Sequence, residues 1–299
     1  MNINNSVKLS AICMNCLIKK QLDNMKETIP EYIKAKYMRG VFKIIAEADE
    51  LESAPVLIEK IGVLHKKYFN EDYSFEDLKK QYNQLLLLEE TNIKEIIHNS
   101  HDPLYTAIKY ARIGNYIDFG TLTEVSTNKL NELLSSAKDD ILQEEEYQYF
   151  KEDLKNAKTL VYLTDNCGEI VLDKLLIQTL KQLYANLHIT VIVRGKPVLN
   201  DATMEDATEV GLTEITTVID NGSGVAGTHL NGISQNALKV INNADIIISK
   251  GQGNFETLNG CGKNIYYIFL CKCHWFVRRF SLEQFKGVFI NDSRLVMKG

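Results

Sequence analysis

Apolar residues recur at three- and four-residue spacing through the first half of the chain and in short unbroken runs through the second. Leu9, Ile12, Cys13, Cys16 and Leu17 share one helical face, as do Val41, Ile44, Ile45 and Ala48. The spacing predicts a helix over 35–50, with Pro30 and Pro55 placed where helices start. Another is predicted over 75–90, with Leu78, Tyr82, Leu85 and Leu88 on a shared side. Asp102-Pro103 reads as a helix entry, an aspartate cap followed by proline at the first helical position. That helix is expected over 104–113 and ends at Gly114. A charged helix is expected over 129–150, with Glu144-Glu145-Glu146 as a solvated face.

From residue 158 the period changes. Strands are predicted over 159–164, 188–193, 214–219, 245–249 and 266–270, with a short edge at 288–290. Helices are predicted between them over 168–184, 203–210 and 234–242. Apolar strands alternating with helices imply an α/β fold: a Rossmann-like, doubly wound, mostly parallel sheet. The expected division is an all-helical domain over 1–157 and the Rossmann-like α/β domain over 158–299.

Composition sharpens this division. Only Gly40, Gly62, Gly114 and Gly120 precede residue 158, while the other 13 of 17 glycines follow it. The front loop between Gly114 and Gly120 carries Asn115 and Asp118; it reads as a plain inter-helix turn or as a segment presenting both side chains to a neighbouring site. A net charge of −5 argues against a broad grip on nucleic acid. No run approaches the roughly 20 apolar residues that span a bilayer, so no membrane partner is expected. The polar opening, with no signal-peptide pattern, and the six cysteines, which form no secreted disulfide framework, fit a cytoplasmic protein with reduced thiols.

In open α/β sheets the ligand lies outside the carboxyl ends of the strands. Three of those ends carry charge beside glycine: Asp165-Asn166-Cys167-Gly168-Glu169, Arg194-Gly195-Lys196-Pro197 with Asn200-Asp201, and Lys250-Gly251-Gln252-Gly253-Asn254. Asp165, Asn166 and Asp201 offer oxygen ligands suited to a hard divalent cation and leave positions for water and substrate. Lys250 before two glycines suits an anion, an ammonium beside backbone that can approach phosphate closely. A metal and a lysine around one oxyanion suit phosphoryl transfer or hydrolysis. Asp165 or Asn166 could equally be only a helix cap, with Glu169 in the first turn. The chain has no GxxxxGK[ST] and no third glycine for a dinucleotide fingerprint.

These motifs, with Asp173, the run Asn200-Asp201-Ala-Thr-Met-Glu-Asp206, Ser249-Lys-Gly-Gln-Gly-Asn-Phe-Glu256 and the loop 114–120, closely resemble the DUF89 family of metal-dependent damage-control phosphatases. Cys13-Met-Asn-Cys16 resembles the prokaryotic branch with an early CxxC. The resemblance implies a helical domain on a Rossmann-like domain, with a divalent metal (Mn, Mg, Co or Ni) held by Asp165, Asn166 and Asp201. It implies Lys250 as the phosphate contact, Glu169 and Asn115 as cleft residues, and a small phosphorylated metabolite such as a sugar phosphate as substrate. Arg194, Gly251, Gly253 and Asn254 complete the expected substrate-binding set. Where relatives carry a Lys-x-Lys-Cys-Pro-like run, this chain has Leu270-Cys271-Lys272-Cys273-His274, keeping Lys272 and Cys273 only.

Two alternatives stand beside this reading: a non-catalytic nucleotide- or metabolite-binding Rossmann protein, and an S-adenosylmethionine-dependent methyltransferase, whose acidic glycine-rich loop is poorly matched after the first strand. Cys13-x-x-Cys16 and Cys271-x-Cys273-His274 match no standard zinc spacing, and on a helix the first pair falls on one apolar face. Cys167 reads as a small packing residue and not a nucleophile.

Overall fold

The computed structural model describes residues 9–70, 75–115, 130, 132, 134–135, 137 and 139–295. The chain begins with helices α1 (Ala11–Asp23), α2 (Glu31–Ala46) and α3 (Ala54–Phe69), followed by α4 (Glu76–His98), α5 (Pro103–Gly114) and α6 (Glu144–Asn156). The second half alternates β1 (Thr159–Leu163), α7 (Glu169–Leu183), β2 (His188–Val193), α8 (Met204–Glu209) and β3 (Thr217–Asp220). It continues through α9 (Gln235–Asn242), β4 (Ile246–Lys250), α10 (Gln252–Leu258), β5 (Ile265–Leu270), α11 (His274–Phe280) and β6 (Gly287–Asn291).

The strands form one sheet in the order β3-β2-β1-β4-β5-β6. All neighbours pair in parallel except β5 and β6, which are antiparallel. The expected mostly parallel, doubly wound α/β sheet is thus observed. The central strands β1, β4 and β5 are buried on both faces, and the two-residue period of the strands sorts side chains into separate cores. Leu160, Tyr162, Val191, Ile248 and Ile268 join a core with α4, α5, α6 and α7. Val161, Leu163, Ile192, Ile247 and Tyr267 face the opposite core with α9, α10 and α11. The first core runs continuously from Tyr82 through Leu154 to Phe289, so front helices cover one face of the sheet. Only α1–α3 keep a core of their own, around Leu17, Tyr37, Val41 and Ile61.

Several local expectations shift. Asp102 caps α5 as read, accepting from the Tyr105 N–H at 3.0 Å. Helix α4 runs to His98 and buries Tyr82, Leu86, Ile93 and Ile97, whereas Leu88 is 79% exposed. The expected helix over 129–150 breaks before α6, where Arg112 grips Asp140 (2.9 Å) and the Ile141 carbonyl (2.8 Å). Glu146 is not solvated: it accepts from Arg294 at 2.8 and 2.9 Å and from the Asn291 N–H at 3.1 Å. Residues 212–214 form a 3₁₀ turn, so the third strand starts at Thr217. The Gln252–Leu258 and His274–Phe280 helices were not anticipated. Asp118 lies outside the described residues.

Among the described residues no helix is long and apolar enough to cross a membrane.

Candidate metal and phosphate site

β1 and β4 are neighbours whose chain connections leave in opposite directions, so the crevice at their carboxyl ends is the topological switch point of the sheet. The segments after β1, β2 and β4 converge there. Asp165 lies two residues past β1, and the turn to α7 closes at Gly168, whose φ of 69° suits glycine. Gly168 is the N-cap of α7, and no side chain caps that helix, so neither Asp165 nor Asn166 serves as a cap. Two backbone hydrogen bonds tie this turn to the segment after β2: Cys167 N–H to the Asn200 carbonyl (2.9 Å) and Ala202 N–H to the Asp165 carbonyl (2.8 Å). Asn166 and Asp201 thereby face each other as an isolated bridge.

The side-chain amides of Asn115 and Asn166 hold the same two carboxylates. Asn115 Nδ2 donates to Asp165 Oδ2 (2.9 Å) and Glu169 Oε2 (3.0 Å). Asn166 Nδ2 donates to the same two atoms at 2.7 and 2.8 Å. The Asn166 nitrogen is thereby fully committed, which leaves its Oδ1 as an electron-pair donor for a cation. Asn115 Oδ1 accepts from the Leu270 N–H at 3.1 Å, which anchors the end of α5 to β5.

Arg194, at the end of β2, is 1% exposed. Its Nε donates to Asp201 Oδ2 at 2.6 Å, and its Nη1 to Asn254 Oδ1 at 3.1 Å. Arg194 Nη2 is buried without a hydrogen-bond partner, 3.8 Å from Asp165 Oδ1. Asn254 spends its own nitrogen on the Thr164 carbonyl (2.9 Å) and the Lys250 carbonyl (2.7 Å), and so braces Arg194 against the ends of β1 and β4.

Lys250 sits beneath this layer with no exposure. Its ammonium donates to the Ala111 carbonyl (2.8 Å), Glu169 Oε1 (2.5 Å) and Asp173 Oδ1 (2.6 Å), which accounts for all three N–H bonds. In this arrangement no N–H of Lys250 is left over for a phosphate, and Glu169 links the ammonium to Asn115 and Asn166. The two glycines that follow have steric roles. A Cβ on Gly251, at φ 79°, would lie 2.0 Å from Asp165 Oδ2, and one on Gly253 would lie 2.1 Å from the Ala226 carbonyl. The Gly251 N–H is itself donated to the Ile268 carbonyl at 3.1 Å.

Electrostatics set the demand of the site. Asp165, Glu169, Asp173 and Asp201 are all largely buried here, against the buried cations Arg194 and Lys250. Burial raises the Asp165 carboxyl well above its ordinary range; Glu169 and Asp201 add to this, while Arg194 and Lys272 oppose it. Burial pushes Asp173 up to about 7 against the pull of Lys250. For Lys250 itself, burial works to lower the pKa, but Asp173 and Glu169 outweigh it and hold the ammonium above its usual value. A divalent cation would balance the excess of negative charge. The oxygen-only set of Asp165, Asn166 and Asp201 has the chemistry such an ion prefers. Among the described residues, no group of three His, Cys, Asp or Glu side chains is arranged to hold an ion. The fit therefore depends on the amide oxygen of Asn166 beside two carboxylates.

The family model of the damage-control phosphatase ARMT1-like domain matches residues 9–287. The chain belongs to this family. It is 33% identical over 280 residues to an uncharacterised protein of Methanocaldococcus jannaschii, an alignment covering 90% of each chain. It is 30% identical to a protein of Archaeoglobus fulgidus named damage-control phosphatase, covering 89% of this chain and 93% of the relative. The crystal structure of a DUF89 family protein from Pyrococcus horikoshii is similar with a TM-score of 0.80 and 26% identity, covering 95% of this chain and 99% of the other.

Within this ARMT1-like domain the residues singled out from sequence do converge: Asn115, Asp165, Asn166, Glu169, Arg194, Asp201, Lys250, Gly251 and Asn254 share the one crevice and its supports. Sequence reasoning left Lys272 out of the site, although its charge reaches Asp165 from the end of β5. Its position in register with the lysine of the family run was the available signal. Thr228, from the glycine-rich segment 221–228, was also missed; it donates to Asn254 Oδ1 at 2.8 Å. Cys167 is fully buried, and burial pushes its thiol up, away from thiolate chemistry. The other cysteines are free thiols too.

Proposed function

We propose that this chain is a metal-dependent phosphatase acting on small phosphate monoesters such as sugar phosphates, in the metabolite-repair role that the family name indicates. The observation that carries the reading is the charge imbalance at the switch point, where the carboxylates of Asp165, Glu169, Asp173 and Asp201 outnumber the cations Arg194, Lys250 and Lys272 in a crevice built by three strand-end segments.

Asp165, Asn166 and Asp201 are the residues that would hold Mg²⁺, Mn²⁺, Co²⁺ or Ni²⁺. When bound, such an ion supplies charge neutralisation for phosphoryl oxygens and lowers the pKa of a water. The rest is protein chemistry. Arg194 holds an Nη2 that makes no hydrogen bond 3.8 Å from Asp165 Oδ1, a donor suited to an equatorial phosphoryl oxygen. Lys272 adds positive charge at the end of β5. Asn115 and Asn166 fix the Asp165 carboxylate through its Oδ2. Asn254 and Asp201 fix the guanidinium plane, so little reorganisation is left for the reaction itself.

The test strips the purified protein of metal, then restores single divalent ions in the presence of an aryl phosphate and a sugar-phosphate panel. Phosphate release is expected only with metal, and Asp165→Ala and Asp201→Ala are expected to abolish it. Release that needs no metal, or that survives both substitutions, overturns the reading.

A further inference from the structure

Asn83 lies on α4, remote in sequence from every strand-end motif, and is fully buried. Its Oδ1 accepts from the Gly168 N–H at 2.7 Å. Its Nδ2 donates to Asp206 Oδ1 at 3.0 Å and to Glu209 Oε2 at 2.8 Å. Gly168 closes the turn that carries Asp165 and Asn166. Asp206 closes the segment that carries Asp201, through a capping box in which it accepts from the Thr203 N–H (2.8 Å) and hydroxyl (2.9 Å). These two segments are joined by the Cys167–Asn200 and Ala202–Asp165 backbone hydrogen bonds. The Asn83 side chain adds a further link between them, beside the Arg194 guanidinium that spans Asp201 and Asp165.

We infer that Asn83 is a positioning residue that sets the spacing between the Asp165-Asn166 turn and the Asp201 segment, and through it the affinity of the site for a divalent cation. The inference rests on the proposed metal-dependent function. An amide is required at this position because one end must accept an N–H while the other donates to two carboxylates. Aspartate would keep the shape and set a third carboxylate against Asp206 and Glu209, where Lys79 at 2.6 Å from Asp206 is the buried counter-charge. Outer residues that orient metal ligands commonly change affinity by about 10–100-fold when replaced.

The experiment titrates metal-stripped protein with Mn²⁺ and reads free ion by electron paramagnetic resonance, with no substrate present. Asn83→Ala and Asn83→Asp are expected to weaken Mn²⁺ binding by about tenfold or more. Glu209→Ala removes one of the three bonds at an exposed residue, so the fold tolerates it, and a loss of about threefold, the weight of one hydrogen bond, is expected. Leu17→Ala, in the separate core of α1–α3, controls for general loss of stability and is expected to bind Mn²⁺ as the unmodified chain does. Wild-type affinity in the folded Asn83 variants overturns the inference and leaves the phosphatase reading intact. An equal loss in Leu17→Ala also overturns it. Should both Asn83 variants fail to fold, unchanged affinity in Glu209→Ala overturns it. Failure of the unmodified chain to bind any divalent ion removes the metal-dependent reading and this inference together.

Discussion

The Lys250 ammonium stands 2.6 Å from Asp173 Oδ1, and neither side chain is exposed. Asp173 Oδ1 also accepts from the Tyr162 hydroxyl at 2.7 Å, and Glu169 holds the other side of the ammonium. The lysine is thus the counter-ion of a buried acid pair directly beneath the crevice. Removing one member of a buried pair leaves the other charge uncompensated, at a cost of about 3–5 kcal/mol.

Lys250→Met is therefore expected to lower folding stability by about 3–5 kcal/mol, read from the urea midpoint. Lys250→Met combined with Asp173→Asn should lose less than Lys250→Met alone, since the uncompensated carboxylate is gone. A lysine that mainly contacts phosphate would behave differently: KM would rise and the midpoint would hold.

Asp173 also dictates a pH dependence. Its carboxyl is pushed up to about 7 by burial, although Lys250 opposes this, whereas an aspartate in the unfolded chain titrates near about 3.9. Between these values the folded protein retains a proton that the unfolded chain has released, so stability falls as pH rises through the window. The raised Asp165 carboxyl acts with the same sign. The melting temperature of metal-stripped protein should decline from pH 5 to pH 8, and Asp173→Asn should flatten the decline. A melting temperature that climbs over this range contradicts the assignment.

Sheet and crevice were legible in the sequence for a physical reason: buried parallel strands are short apolar runs, and Asp165, Arg194 and Lys250 stand at their ends. What escaped were relationships that local pattern does not encode. Lys250 reads as a loop lysine beside glycines, yet β4 extends one residue further than predicted and carries it into the interior. The Gly251 and Gly253 pair suggested backbone open to phosphate, but the space serves Asp165 and the Ala226 carbonyl. Glu146 sits in an acidic run that looks solvated, and its partner Arg294 is 148 residues away. Asn83 had no signal at all, because a buried asparagine within a helix resembles any other polar position.

Gly251 offers the sharpest single-atom test of the site. A methyl group there would meet Asp165 Oδ2 at 2.0 Å, and the backbone φ of 79° disfavours any L side chain. Carboxylate and backbone cannot both keep their places in Gly251→Ala. Displacing a reacting group by about 1 Å costs on the order of 10²-fold in rate, so a drop in kcat of that size is expected, together with weaker Mn²⁺ binding. Gly260→Ala, also at positive φ but with open space around the new methyl, is the matched control and should keep both. Equal behaviour of the two variants would refute the steric role assigned to Gly251.

Lys272 separates substrate charge from metal charge. It lies two residues past β5, is half-buried, and its positive charge opposes the rise of the Asp165 carboxyl. Replacing it by alanine removes a cation from the crevice without touching Asp165, Asn166 or Asp201. An ion pair of such partial exposure is worth up to about 1 kcal/mol, or roughly fivefold. Lys272→Ala should therefore raise KM for a phosphate ester by about fivefold at saturating Mn²⁺. With less positive charge beside it, Asp165 holds its proton to higher pH, so the acid limb of kcat/KM should move upward. Both shifts are read from one pH series of initial rates, and an unchanged KM with an unmoved acid limb would place Lys272 outside the site.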